Sequence, residues 1–118
     1  MNPTTAESIY RRDNWTCQYC ALDGRGSFTA WRSLSFDYLL PPGHARRDDP
    51  DFIVIACSHC NIMLAQHFKS VTARGETFAS PKREALLKAR RDFLTPRLDK
   101  LRAYWQRAKS SLTAGLVH

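Results

Sequence analysis

Cys17-Gln18-Tyr19-Cys20 and Cys57-Ser58-His59-Cys60 are two Cys-x-x-Cys pairs separated by 36 residues. Two intervening residues let the backbone curl into a knuckle that aims both sulfurs at one ion about 2.3 Å away. One such pair could be a redox dithiol. Two in one short chain have the form of a four-thiolate structural zinc site. Four cysteines in 118 residues are too few for a secreted disulfide scaffold. A second constellation lies between and just after the knuckles. Asp37 is flanked by Phe36 and Tyr38 in an otherwise apolar run, where a carboxylate is costly unless it is paired or binds a cation. Asn61 directly follows the last cysteine. Closing both knuckles on one zinc would bring Asp37 towards Asn61, and their oxygens would suit Mg²⁺ or Mn²⁺ rather than zinc. An equal alternative is a local hydrogen-bond network around Asp37, with Asn61 as a helix cap.

These residues need elements to position them. Glu7 to Asp13 reads as a short helix, and Asp23-Gly24-Arg25-Gly26-Ser27 as a turn. Leu34 to Leu40 reads as a strand stopped by Pro41-Pro42-Gly43, with a polar loop from His44 to Asp51. Phe52 to Ala56 is β-branched and reads as a second strand running straight into the second knuckle. A helix is expected over about residues 61–71, with a break at Gly75. Ser80-Pro81 is a helix start, Ser80 as N-cap and Pro81 in the first turn. Thr95-Pro96 repeats that signal and predicts a break or kink. Beyond it, Leu98, Leu101, Trp105, Ala108 and Leu112 recur at steps of three and four. This stripe should pack on the zinc module or on a second copy. The expected organisation is a small α+β zinc module over 1–79 and a basic helical extension over 80–118.

Length and charge bound the reading. A chain of 118 residues holds one compact core, or a small core with an extension. Residues 1–79 carry eight basic and eight acidic side chains, whereas residues 80–118 carry ten and three, so the net charge of +7 resides in the last third. Such asymmetry suggests an anionic partner, most simply nucleic acid. No run approaches 18 apolar residues, and Met1 to Thr5 lacks a basic region leading into an apolar one. A cytoplasmic protein without a membrane partner is expected.

Trp15-Thr16-Cys17-Gln18-Tyr19-Cys20, Leu34-Ser35-Phe36-Asp37-Tyr38-Leu39-Leu40-Pro41 and Ile55-Ala56-Cys57-Ser58-His59-Cys60-Asn61 together resemble the zinc-bearing branch of the HNH endonuclease family. The resemblance covers roughly residues 8–70 in order, spacing and flanking residues. It implies a ββα-metal, treble-clef-like core that grips one catalytic divalent cation, with zinc as a separate staple. It also implies hydrolysis of DNA phosphodiester bonds. By position Asp37 and Asn61 match the family's first and last cation ligands. The family's Asp-His pair is Asp37-Tyr38 here, so the general-base histidine is replaced. Its central asparagine falls at Phe52, beside Asp51.

Two functions follow, with different consequences. In a divalent-metal-dependent DNA endonuclease, Asp37 and Asn61 would hold Mg²⁺ or Mn²⁺. Tyr38, or His44 in the following loop, would then activate water. Arg46, Arg47 and the tail residues Lys82, Arg83, Arg90 and Arg91 would grip phosphates. The alternative is a catalytically inactive HNH-like DNA-binding module, because losing a general base removes roughly 10²–10⁴-fold in rate. A protein-interaction adaptor using the apolar stripe is a third class. His59 reads as a surface residue or phosphate contact, and His67 as a packed or surface residue. Double-strand cutting by so small a chain would call for a homodimer.

Overall fold

The computed structural model describes residues 1–68 and 76–116. The expected break at Gly75 and the end of the expected helix at residue 71 lie outside the described residues. Five helices and one two-stranded sheet occur among those described. Helix α1 spans Pro3–Arg12 and starts before the expected Glu7, because the Asn2 side chain caps it by accepting from Thr5 N at 2.8 Å. Its Ile9 is buried in the core. A helix not anticipated from sequence, α2 at Phe28–Arg32, is capped by Ser27 at the end of the turn-rich stretch.

Strands β1 (Leu34–Tyr38) and β2 (Ile53–Cys57) pair antiparallel, with Phe36 opposite Ile55 and Asp37 opposite Val54. Both are one or two residues displaced from expectation. Phe52 is taken into a 3₁₀ turn at Pro50–Phe52 capped by Asp49, although its carbonyl still accepts from Leu39 N at 2.8 Å. All five residues of β2 are buried. Val54 clusters with Leu39, Leu40, Phe52, Leu86 and Leu87, and Ile53 and Ile55 with Ile9, Leu34, Leu64 and Leu94.

Helix α3, Ser58–Phe68, begins inside the second knuckle, so Cys60 lies in its first turn. Helix α4 is the short Glu76–Ala79. Helix α5, Arg83–Leu116, starts two residues after the expected Pro81, and its first backbone bond runs from Leu86 N to the Lys82 carbonyl at 3.1 Å. It also runs on through Pro96 as one helix, so of the expected break or kink the break does not occur. Proline in a helix interior removes one backbone bond, at about 3 kcal/mol. Here Leu94, wholly buried, and Leu98 anchor the helix to the core on both sides, and Arg97 Nη1 donates to the Phe93 carbonyl at 2.7 Å in the affected turn.

Leu86, Leu87 and Leu94 share core clusters with the strands, so position 79 does not separate two cores. Of the apolar stripe, Leu98 packs against the module, but Leu101, Trp105 and Leu112 are 45%, 55% and 69% exposed. The stripe is therefore not buried against residues 1–79 beyond Leu98. The last 18 residues of α5, 99–116, project from the core by about 27 Å at 1.5 Å per residue, which gives the molecule its 60 Å long axis. No helix among the described residues is long and apolar enough to cross a membrane.

Candidate functional site

The first knuckle is docked on the outer edge of β2, where Gln18 N donates to the Ile55 carbonyl at 2.9 Å. The neighbouring Ile55 N–H is taken by the buried Asp13 carboxylate at 2.8 Å. That acid, which no sequence pattern marked, satisfies an edge donor that would otherwise be buried unpaired. Behind the knuckle, a Cβ at Gly24 would lie 2.3 Å from Leu34 Cδ1 and 2.9 Å from the Trp15 carbonyl oxygen. Only glycine allows the loop to close that tightly.

This docking brings Cys17, Cys20, Cys57 and Cys60 together, with all four sulfurs within 4.8 Å of one another. A zinc ion bound at about 2.3 Å sets tetrahedral sulfur–sulfur edges of about 3.8 Å, and Cys20 Sγ lies 3.7 Å from Cys57 Sγ. That separation excludes a disulfide between these two, whose sulfurs would be about 2.05 Å apart. Within each knuckle a backbone N–H points at the first sulfur, Cys20 N at 3.5 Å from Cys17 Sγ and Cys60 N at 3.4 Å from Cys57 Sγ. The residues fit a structural zinc ion.

The second constellation also converges. Asp37, Tyr38 and Asn61 line one cleft of about 270 Å³ with Arg47, Leu64 and Arg90. Asp37 itself is buried, and Arg90 Nε of α5 donates to its Oδ2 at 2.9 Å. Arg90 Nη2 also reaches the Tyr38 and Leu39 carbonyls at 3.3 Å. The Tyr19 hydroxyl, from inside the first knuckle, donates to the same carboxylate oxygen. Burial, followed by the adjoining Asp37 charge, pushes the Tyr19 hydroxyl well above its ordinary pKa, so it remains a donor. Burial raises the Asp37 carboxyl as well, against the opposing pull of Arg90.

As the cleft stands, Asp37 is already engaged within the chain. Its charge is balanced by a buried guanidinium, which would repel a divalent cation. Asn61 directs its Nδ2 to Ser35 Oγ at 2.5 Å and to the Phe36 carbonyl at 3.3 Å; it lies inside α3 rather than capping it, and the network around Asp37 is made by Tyr19 and Arg90 instead.

The base candidates separate. Tyr38 stays at the cleft with the Arg47 guanidinium 4.1 Å above its ring. His44 turns away, its Nε2 2.5 Å from the Phe78 carbonyl and its Nδ1 accepting from Arg46 N at 3.0 Å. Phe52, at the family's asparagine position, is buried, with the Arg46 guanidinium 4.7 Å over its ring. His59 is exposed, and His67 stacks on Phe93 at 4.0 Å.

Of the expected phosphate contacts, Lys82 and Arg91 are exposed, with Arg91 Nε on the Gln18 carbonyl at 3.2 Å. Arg46 is exposed and paired to Asp49 at 3.0 Å. Arg83 is half-buried between Glu84 and Asp13. Arg90 is largely buried, and its side chain is the counter-ion of Asp37. Sequence reasoning missed Tyr19 and Arg90 as partners of Asp37, and Asp13 as a strut. Only the requirement that a buried carboxylate be paired pointed towards such partners.

Fold and cluster define a small α+β module with a four-cysteine site able to hold zinc, in a ββα-like arrangement followed by a long helix. Comparison with family models, curated proteins and solved structures finds no match.

Proposed function

We propose that this chain is an HNH-like DNA-binding module, stapled by structural zinc, in which a guanidinium has taken the place of the catalytic cation. The Arg90–Asp37 pair carries this reading. A carboxylate at the family's first ligand position is neutralised from within the chain, and its neighbour is Tyr38 rather than an imidazole base. The basic charge supports the partner. Beyond the core, α5 holds Lys100, Arg102, Arg107 and Lys109 in solvent, where they can neutralise phosphates and release counterions. The setting is that of a cytoplasmic protein.

The second reading is a divalent-metal-dependent endonuclease, and the convergence of Asp37, Tyr38 and Asn61 on one cleft favours it. It requires Arg90 to release Asp37 to Mg²⁺ or Mn²⁺, Tyr38 to act as the base, and a homodimer for double-strand cutting. The two readings part in one experiment. Supercoiled plasmid is incubated with the zinc-loaded protein and Mg²⁺ or Mn²⁺ from pH 6 to 9, and duplex affinity is measured alongside. Binding without nicking is expected. Nicking that disappears in Asp37→Ala, with fold and zinc retained, would overturn the binding-module reading in favour of the nuclease.

A further inference from the structure

We propose that the cleft between the end of β1, α3 and α5 is a metal-independent phosphate site with Arg47 as its binding group, an inference that rests on the DNA-binding reading. Of the charged groups lining the cleft, two are guanidiniums and one is a carboxylate. Arg90 is answered by Asp37. Arg47 takes part in no ion pair among the described residues, so the cleft retains one positive charge.

The group is also held in place. Its backbone N–H donates to the His44 carbonyl at 3.1 Å, and its guanidinium stacks 4.1 Å over Tyr38. Stacking uses the face of a guanidinium and leaves its in-plane N–H donors for a planar or tetrahedral oxyanion, the geometry in which arginine binds phosphate bidentately. The tyrosine that stands in the base position thus serves as the platform for the phosphate ligand. A volume of about 270 Å³ admits a phosphate group but not a stacked base pair, so the ligand is a single phosphate of the backbone or of a strand end.

The test uses zinc-loaded full chain in buffer free of other divalent cations. Inorganic phosphate is titrated while the Arg47 Nε–H and Tyr38 ring resonances are followed by NMR. Duplex affinity is then measured for the parent, Arg47→Ala and Arg47→Lys, with 5′-phosphorylated and 5′-hydroxyl duplexes. Saturable shifts at Arg47 and Tyr38 are expected, together with an affinity loss of fivefold or more in Arg47→Ala that Arg47→Lys only partly restores. Equal affinity for the two duplexes would assign an internal backbone phosphate, and tighter binding of the phosphorylated one a strand end. Unmoved resonances in the parent, with duplex binding intact, would overturn the site and leave the DNA-binding reading standing. Shifts with phosphate but no duplex binding would overturn the DNA-binding reading. The parent titration decides the site even if Arg47→Ala does not fold.

Discussion

Arg90, near the middle of the folded half of α5, reaches Asp37 on β1 with Nε–Oδ2 at 2.9 Å, and both side chains are about nine-tenths buried. One interaction therefore ties the long helix to the sheet. Such a buried pair is rarely a net source of stability, because desolvation of both charges offsets their attraction. Breaking it from one side is a different matter, since a lone buried charge remains.

A mutant cycle on this pair follows. Arg90→Met should lose about 3 kcal/mol at pH 7, whereas Asp37→Leu/Arg90→Met should melt near the parent or above it. The pH dependence has a definite sign. Burial raises the Asp37 carboxyl, and a carboxyl with a raised folded pKa contributes fully below its unfolded value and loses that contribution as pH rises through the folded one. Protonating Asp37 therefore relieves Arg90→Met, and its deficit should be smaller at pH 4 than at pH 8. Thermal melts of the four proteins at the two pH values check both statements.

The zinc prediction concerns folding. The two knuckles join the segment after α1 to β2 and α3 through four sulfurs that lie side by side, and ligand binding to the folded state alone is folding free energy. Purified protein should contain one zinc per chain. Chelation or Cys57→Ser should abolish the cooperative melt and the β-sheet signal in circular dichroism. Elemental assay reporting no zinc in a folded sample would contradict it.

Truncation separates the two halves of α5. Deleting residues 99–118 removes a segment in which Leu101, Trp105 and Leu112 are exposed, so the melting temperature should change little. Duplex affinity should fall at least tenfold, and the slope of log affinity against log salt should become shallower by several units. Deleting from residue 80 instead removes Leu86, Leu87 and Leu94 from the core and should unfold the protein. Fluorescence anisotropy at three salt concentrations, with a melt of each truncation, checks this.

What was legible in the sequence was whatever depends on local spacing. The knuckles, the β-branched run of β2 and the apolar turns of α3 each announce themselves within a few residues. The partners of Asp37 do not, because Tyr19 lies 18 positions away and Arg90 lies 53, and no periodicity links them. At Pro96 the expected break does not occur, for the complementary reason. The proline's local signal to end a helix is real, but Leu94 and Leu98 on either side hold that turn by tertiary packing. The basic run over residues 82–91 reads as one anionic-partner surface, yet the 3.6-residue turn sends Arg90 inward while Lys82, Lys88 and Arg91 face solvent.

The central claim is that a guanidinium, rather than a divalent cation, holds Asp37. Paramagnetic Mn²⁺ titrated into the zinc-loaded protein tests it directly, because a bound ion erases nearby NMR signals. The account predicts that the Asn61 side-chain amide and the Tyr38 ring stay sharp at one equivalent of Mn²⁺, and that Asp37→Ala behaves as the parent does. Selective, saturable loss of those two signals in the parent, absent in Asp37→Ala, would show a cation at Asp37 and contradict the account.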